Sequence, residues 1–174
     1  MLKDITIRPY RTEDANDLYE AARESVSELL PWMPWCYPGY SRSEAEDWAS
    51  SRERLFSEGS EYDFAILDST GRFLGGCGLN QINRVHLFAN LGYWVRTSAT
   101  GHGVAGAAVQ KLAAFAFADT QLIRLEIICA IENTRSQRAA AKAGAIREGV
   151  LRNRLWLHGQ SHDAVMYALV KGKG

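Results

Sequence analysis

The stretch that decides the fold runs from Leu91 to Phe117 and reads LGYWVRTSATGHGVAGAAVQKLAAFAF. Its apolar and aromatic start, Leu91 to Val95, predicts a β-strand. Helical spacing of apolar residues follows, at Val104, Ala108, Leu112 and Phe115. Between the two lie Gly101, Gly103 and Gly106. Such glycines either permit a tight reversal only or let the free N–H groups at the start of the helix bind a phosphate.

Two kinds of nucleotide site compete for this glycine turn. The three glycines match the G-x-G-x-x-G fingerprint of dinucleotide folds, and Glu126 stands twenty positions after Gly106. Five residues, however, separate the strand from the first glycine, and only 48 residues follow Glu126. That is too short for the remaining units of a doubly wound sheet, so a dinucleotide-binding protein is the remote alternative.

Length and composition exclude several classes of protein. The 174 residues predict a single domain over residues 1–174. Twenty basic and twenty acidic residues balance, which argues against nucleic-acid binding, and no long apolar run predicts a membrane span. The N-terminus lacks a secretory signal, so we expect a cytoplasmic protein. Three scattered cysteines and four histidines show no ligand spacing, so no metal is expected, and Cys129 is interpreted as a small buried hydrophobe.

Hydrophobic periods along the chain predict the element order βααβββαβαββ. A capping-box signature, Ser43 with Glu46, opens the second helix. The strand–helix–strand crossover around the glycine turn demands at least one parallel pair of strands. The sequence therefore predicts an α/β (α+β) fold with a mixed, mostly antiparallel central sheet and helices on both faces.

An aromatic loop separates the two predicted N-terminal helices. It runs from Leu30 to Tyr40, LPWMPWCYPGY, with three prolines, two tryptophans and two tyrosines. Aromatic residues in a loop either plug the end of a core or line a ligand pocket. We expect Trp32, Trp35 and Tyr37 to line the substrate pocket.

Two sets of motifs resemble the GNAT superfamily of acyl-CoA-dependent N-acetyltransferases. The segment TGHGVA, Thr100 to Ala105, resembles its pyrophosphate loop, (Gln/Arg)-x-x-Gly-x-(Gly/Ala), except that Thr100 replaces Gln or Arg. Arg96 is expected to supply the missing charge. A second set of motifs resembles the RimJ/RimL branch, which acetylates protein N-terminal amines. This set comprises N-x-x-S, K-x-G and E-G-x-x-R between Asn133 and Arg152, and P-W-x-P-W at Pro31 to Trp35.

The resemblance implies acetyl-CoA as co-substrate and direct transfer of its acetyl group to a primary amine in a ternary complex. The expected acceptor is a protein or peptide N-terminal α-amine. The alternatives are a small-molecule amine, such as a polyamine or an antibiotic, and a non-catalytic acyl-CoA-binding domain. A homodimer is compatible with the sequence. The cofactor-binding residues that the resemblance implies are Tyr93, Trp94, Val95, Arg96, Thr100, Gly101, His102, Gly103, Val104, Ala105, Asn133 and Ser136.

The catalytic residues are expected to be Ser136 and Glu126. Many GNAT enzymes carry a tyrosine seven residues after the asparagine as proton donor to the departing thiolate, but Ala140 stands there. The resemblance therefore implies Ser136 as the donor, with helix capping as the alternative. Glu126 alternates with core-facing residues and is the candidate base, whereas a salt bridge to Arg124 is the structural alternative.

Overall fold

The computed structural model describes residues 4–172. Its strands are β1 (Thr6–Pro9), β2 (Tyr62–Leu67), β3 (Phe73–Asn83), β4 (Phe88–Val95), β5 (Arg124–Ala130), β6 (Ile146–Leu157) and β7 (Gln160–Val170). They form one sheet in the order β1-β2-β3-β4-β5-β7-β6. Within residues 4–172, only β4 and β5 pair in parallel, and every other neighbouring pair is antiparallel. The predicted mixed, mostly antiparallel sheet is confirmed, and a doubly wound parallel sheet is excluded.

In the described part of the chain, four α-helices flank the sheet. They are α1 (Ala15–Leu29), α2 (Arg42–Ser57), α3 (Val104–Asp119) and α4 (Thr134–Lys142). The capping box of α2 lies two residues before the predicted one, because Ser41 and Glu44 also match its pattern. The Ser41 hydroxyl accepts from the Glu44 N–H at 3.2 Å, and the Glu44 carboxylate accepts from the Ser41 N–H at 2.8 Å.

The helices divide between the two faces of the sheet, as the sequence predicts. On one face, Leu91 packs with Leu112 of α3 and Ala140 of α4 in the larger core. On the other face, Leu18 of α1 and Ala45 of α2 belong to a smaller core. Successive residues of a strand point to opposite faces, so the side chains of neighbouring residues on β4 enter different cores. We call these the α3/α4 face and the α1/α2 face.

The sheet opens between its only parallel strands. Pairing of β4 with β5 is confined to residues 88–90 and 124–126. Beyond those residues, β4 continues beside β3 and β5 continues beside β7. The two strands therefore part, and the edges that face each other across the gap have no strand partner among residues 4–172. Within that range, no helix is long and apolar enough to cross a membrane.

Candidate active site

The glycine turn after β4 presents free backbone donors at the start of α3. Gly101 and Gly103 have φ of +79° and +83°, a left-handed conformation that favours glycine. Gly103 is the N-cap of α3 and no side chain caps it. The first helical hydrogen bond runs from the Ala107 N–H to the Gly103 carbonyl at 3.1 Å. The N–H groups of residues 104–106 have no partner in the described chain, so they can bind an anion together with the helix dipole.

The space in front of this turn is open. A Cβ built on Gly101 or Gly103 would meet no atom within 4 Å, and His102 between them is exposed. Gly106, the third glycine, has another role, since a Cβ there would lie 3.8 Å from the Ala139 carbonyl of α4. The turn therefore fits a diphosphate, while Gly106 lies where α3 approaches α4.

Thr100 and Arg96 both have hydrogen-bond partners within the protein. The Thr100 hydroxyl donates to the Thr97 carbonyl at 2.8 Å. The Arg96 guanidinium pairs with the Glu24 carboxylate of α1 and donates to the Phe73 carbonyl at 3.1 Å. These partners hold the Arg96 guanidinium against α1 and β3, and its role at the phosphates stays a prediction.

Glu24 fastens the start of this segment to α1. Besides Arg96, its carboxylate accepts from the Ser98 N–H at 2.7 Å. The Arg96 hydrogen bond is the main reason that the pKa of Glu24 falls to about 2, and partial burial opposes it. Glu24 thus connects the α1/α2 face to the turn that precedes α3.

The unpaired edge of β4 lies beside the gap in the sheet. Its residues from Leu91 to Val95 pair only with β3, so backbone groups that point away from β3 remain available. Tyr93 and Val95 pack against the larger core, whereas Trp94 packs against the smaller one. An extended amide-bearing chain laid along this edge would gain hydrogen bonds as an added strand does.

A cluster of three side chains spans the gap. The Ser136 hydroxyl at the start of α4 lies 3.0 Å from the Tyr93 hydroxyl of β4 and 3.2 Å from the Cys129 thiol of β5. Tyr93 Oη also donates to the Ser136 carbonyl at 2.9 Å. Because that bond uses the single proton of Tyr93, Ser136 Oγ is the donor to Tyr93 and the acceptor from Cys129.

The environment of this cluster keeps the two neighbours of Ser136, Tyr93 and Cys129, protonated. Burial raises the pKa of the Tyr93 phenol and the pKa of the Cys129 thiol. Cys129 is 3% exposed, as its interpretation as a buried hydrophobe requires, but its contact with Ser136 was not foreseen. Asn133, not Ser136, is the cap of α4, since its side chain accepts from the Ser136 N–H at 3.1 Å. The Ser136 hydroxyl is therefore free of the capping role that the sequence left open.

Glu126 stands where β4 and β5 part. It is in the last paired position of β5, opposite Asn90, and it faces the α1/α2 face because Leu125 and Ile127 belong to the larger core. Its carboxylate accepts from Arg124 Nε at 2.8 Å. The salt bridge that the sequence offered as the structural alternative is thus present.

A cavity of 490 Å³ lies on the α1/α2 face. Its aromatic lining residues are Tyr10, Trp35, Tyr37, Tyr40, Trp48, Tyr93 and Trp94. Of the residues predicted to line a substrate pocket, Trp35 and Tyr37 line this cavity and Trp32 does not. Trp32 lies in the turn that follows α1, where its backbone N–H donates to the Leu29 carbonyl at 2.9 Å. The cavity reaches Gly92 and Tyr93 of β4, so it borders the gap.

Sequence reasoning missed the part of this cavity that comes from distant strands. Asp63 of β2 and three glycines, Gly76, Gly78 and Gly92, line it. A signal was present, since glycines inside a strand mark places where a ligand or another chain approaches the backbone. The sequence FLGGCGLN of β3 carries Gly75, Gly76 and Gly78, of which the last two line the cavity.

Comparison with known proteins agrees with this site. A family model described as an acetyltransferase (GNAT) domain matches residues 4–146. The ribosomal-protein-serine acetyltransferase of Escherichia coli (strain K12) is 30% identical over 153 residues, which are 88% of this chain and 85% of the relative. The uncharacterized N-acetyltransferase p20 of Bacillus licheniformis is 31% identical over 168 residues, 96% of this chain and 93% of the relative. The solved structure of Mycobacterium smegmatis RimJ in complex with a CoA disulfide has a TM-score of 0.86 at 27% identity, covering 95% of this chain and 81% of that one.

Proposed function

The chain belongs to the GNAT acetyltransferase family, and from that premise we propose that it acetylates a protein or peptide N-terminal α-amine. It is an acetyl-CoA-dependent N-acetyltransferase of the RimJ/RimL-like kind. The observation that carries the proposal is the Ser136 hydroxyl, which contacts Tyr93 of β4 and Cys129 of β5 across the gap between these strands. The acceptor class is supported by the named relative, which acetylates a ribosomal-protein serine.

Acetyl-CoA, when bound, supplies the activated acetyl group and a sulfur that must leave with a proton. The residues of the chain fit such a ligand at both ends. The free N–H groups after Gly103 would hold its diphosphate, and the unpaired edge of β4 from Tyr93 to Val95 would bind its amide-bearing arm. The side-chain NH₂ of Asn133 can add a contact, because the cap uses only its oxygen.

We assign the proton of the leaving sulfur to Ser136. Its hydroxyl is held between Tyr93 and Cys129, and a small rotation about the Cα–Cβ bond would redirect its hydrogen to an acceptor in the gap. Cys129 can continue to donate to Ser136 Oγ while that hydrogen is transferred. A hydroxyl in this position acts as a general acid and stabilises the departing charge.

Glu126 is proposed to accept the proton of the attacking ammonium through a water molecule. An α-amine has a pKa of about 8, compared with about 10.4 for lysine, so removing its proton at neutral pH costs less free energy. A carboxylate can therefore provide the neutral nucleophile more readily from an α-amine. Glu126 is at the point where the strands part and its hydrogen bond with Arg124 fixes its orientation. Direct attack on the thioester needs no covalent acyl-enzyme.

Release of free thiol from acetyl-CoA tests the proposed function. A peptide with a free α-amine and no lysine is expected to support release. The same peptide blocked at its N-terminus, with one lysine added, is expected to support little, because the ε-amine is almost fully protonated at neutral pH. Preference for the lysine peptide would contradict the α-amine assignment. Binding of acetyl-CoA without release under any amine would favour a non-catalytic acyl-CoA-binding domain.

A further inference from the structure

The cavity on the α1/α2 face contains a buried hydroxyl without a hydrogen-bond partner. Tyr10 is 2% exposed and lines the cavity, and no donor or acceptor in residues 4–172 reaches its Oη. A Cβ built on Gly76 would lie 2.5 Å from this oxygen. The hydroxyl therefore lies over the bare backbone of β3. A buried hydroxyl normally has a partner, so a polar group of a ligand is expected there.

A carboxylate oxygen lies over the same strand, two residues further along. Asp63 Oδ2 accepts from Arg52 Nη1 at 2.8 Å, but no donor in the described chain reaches Asp63 Oδ1. A Cβ on Gly78 would be 2.1 Å from that Oδ1. Positions two apart on a strand are roughly 7 Å from each other and point to the same side of the sheet. The two oxygens therefore offer two neighbouring acceptors to a ligand in the same cavity.

The charges around Asp63 favour a cation. Arg52 Nη1 contacts both Asp63, at 2.8 Å, and Glu61, at 2.6 Å, so one positive charge is shared by two carboxylates. The Arg52 guanidinium also lies over the Trp48 ring at 4.4 Å, which fixes its position. Burial raises the pKa of Asp63 and Arg52 opposes that rise. A net negative charge within aromatic walls is an environment that attracts cations.

A groove of bare backbone joins Asp63 to the gap in the sheet. Asp63, Gly78 and Gly92 stand side by side on β2, β3 and β4. With two strand spacings between them, the Cα atoms of Asp63 and Gly92 are roughly 10 Å apart. Gly92 precedes Tyr93, whose hydroxyl contacts Ser136. One molecule can therefore extend from Asp63 to the edge of β4 without meeting a side chain on the floor.

Building on the proposed function, we infer that the acceptor carries a second cationic nitrogen, which Asp63 binds beside the Tyr10 hydroxyl while the reacting amine lies in the gap between β4 and β5. A peptide with a basic side chain near its N-terminus and a linear diamine share this chemistry. Specificity for the acceptor then comes from a charge held about two strands away from the reacting nitrogen.

Calorimetry on the CoA-saturated protein tests the inference without turnover. Hexane-1,6-diamine is compared with heptylamine, in which a methyl group replaces the second ammonium. We expect the diamine to bind roughly tenfold to a hundredfold more tightly, the range for hydrogen bonds to charged groups. Asp63→Asn is expected to abolish this preference. Glu61→Gln is the matched control, because it removes the other partner of Arg52 but does not line the cavity.

Two further variants keep the inference testable if Asp63→Asn does not fold. A Cβ on Gly92 would meet no protein atom within 4 Å, so Gly92→Ala is expected to keep the wild-type melting temperature and weaken diamine binding. Tyr10→Phe removes only the unpaired hydroxyl and is expected to weaken the diamine several-fold but not heptylamine.

The two proposals fail in different ways. Equal binding of the two amines by the wild type, or a diamine preference that survives in both Asp63→Asn and Tyr10→Phe, would overturn the inference. Acetylation of peptides in the thiol assay would leave the proposed function standing in that case. A diamine preference that depends on Asp63 would support the inference even if no peptide were acetylated, which would count against the α-amine assignment alone.

Discussion

The two faces of the sheet differ in how they are filled. On the α3/α4 face, large side chains such as Leu91, Leu112 and Leu125 are almost completely buried, and the gap that holds Ser136 interrupts them. On the α1/α2 face, glycines of β3 and β4 leave a cavity of 490 Å³ under an aromatic loop. The packed face holds the proposed acetyl-CoA site rigidly, and the hollow face leaves room for an acceptor.

The faces also differ in what kind of group they offer. The glycine turn and the edge of β4 present backbone N–H groups, whose geometry depends on the fold more than on individual side chains. The cavity presents side chains, among them the Tyr10 hydroxyl and Asp63 Oδ1, two oxygens without a hydrogen-bond partner in residues 4–172. Substitutions of cavity side chains on the α1/α2 face would therefore change the acceptor, while the backbone groups of the proposed acetyl-CoA site stay the same.

Gly103→Glu is expected to have the largest effect, and it tests whether the glycine turn binds the phosphates of CoA. The new carboxylate would occupy the open space in front of the turn and repel phosphate, so we expect CoA affinity to fall at least about a hundredfold. Calorimetric titration with CoA measures it. Gly71→Glu is the control, because Gly71 has a φ of +85° against +83° for Gly103 and also meets no atom within 4 Å. Equal CoA affinity in the two variants would refute the phosphate site.

Ser136→Ala comes next and tests the chemistry in the gap. We expect kcat to fall by about 10² with little change in CoA affinity, since a proton donor is lost and the helix cap is kept. Steady-state thiol release and CoA titration measure the two quantities. Ser136→Cys retains a proton donor and should recover part of the rate. Unchanged turnover per folded molecule in Ser136→Ala would mean that water or a tyrosine, and not Ser136, donates the proton to the leaving sulfur.

The sequence predicted the fold well because its signals are local. The strand predicted from Leu91 to Val95 lies within β4, and the helical spacing from Val104 to Phe115 lies within α3, since short-range patterns define both. The capping box was placed at Ser43 because two overlapping S-x-x-E patterns begin two residues apart, and only the path of the chain selects Ser41. The order of elements was enough to require the parallel pair of strands.

The site was predicted less completely, for a physical reason. The glycine turn is contiguous, so its pattern was visible, whereas the neighbours of Ser136 come from strands 36 residues apart in the chain, Tyr93 and Cys129. The partners of Arg96 and the place of Asp63 beside Gly78 depend on packing and on cross-strand register, which composition does not encode. Contacts between distant elements are therefore what the sequence withheld.

Trp35→Ala should sharpen the comparison with a smaller effect. Trp35 lines the cavity and packs edge-on against Trp94 at 5.5 Å, so its loss is expected to raise KM for the acceptor about tenfold, in line with a lost aromatic contact. KM for acetyl-CoA should change little. Trp32→Ala is the matched control from the same loop, since Trp32 does not line the cavity. A lower melting temperature with both KM values unchanged would mean that Trp35 stabilises the core and does not bind the acceptor.

The smallest effect concerns one of the contacts between the two faces, Glu24 with Arg96. The folded pKa of Glu24 is lowered to about 2 from 4.5, so its contribution to stability is present above pH 4.5 and is lost as the pH falls toward 2. Because the pair is partly exposed, Glu24→Gln at neutral pH should cost about 1 kcal/mol, a shift of roughly 2–4 °C in Tm.

Thermal unfolding between pH 7 and pH 2 checks this. The difference in Tm between wild type and Glu24→Gln should shrink over the window from pH 4.5 to pH 2, because both side chains are then neutral. Glu28→Gln, which removes the more exposed pair with Arg135, is the control and should shift Tm less at neutral pH. A Glu24→Gln difference that persists unchanged at pH 2 would mean that shape and hydrogen bonding, not charge, join α1 to the cofactor turn.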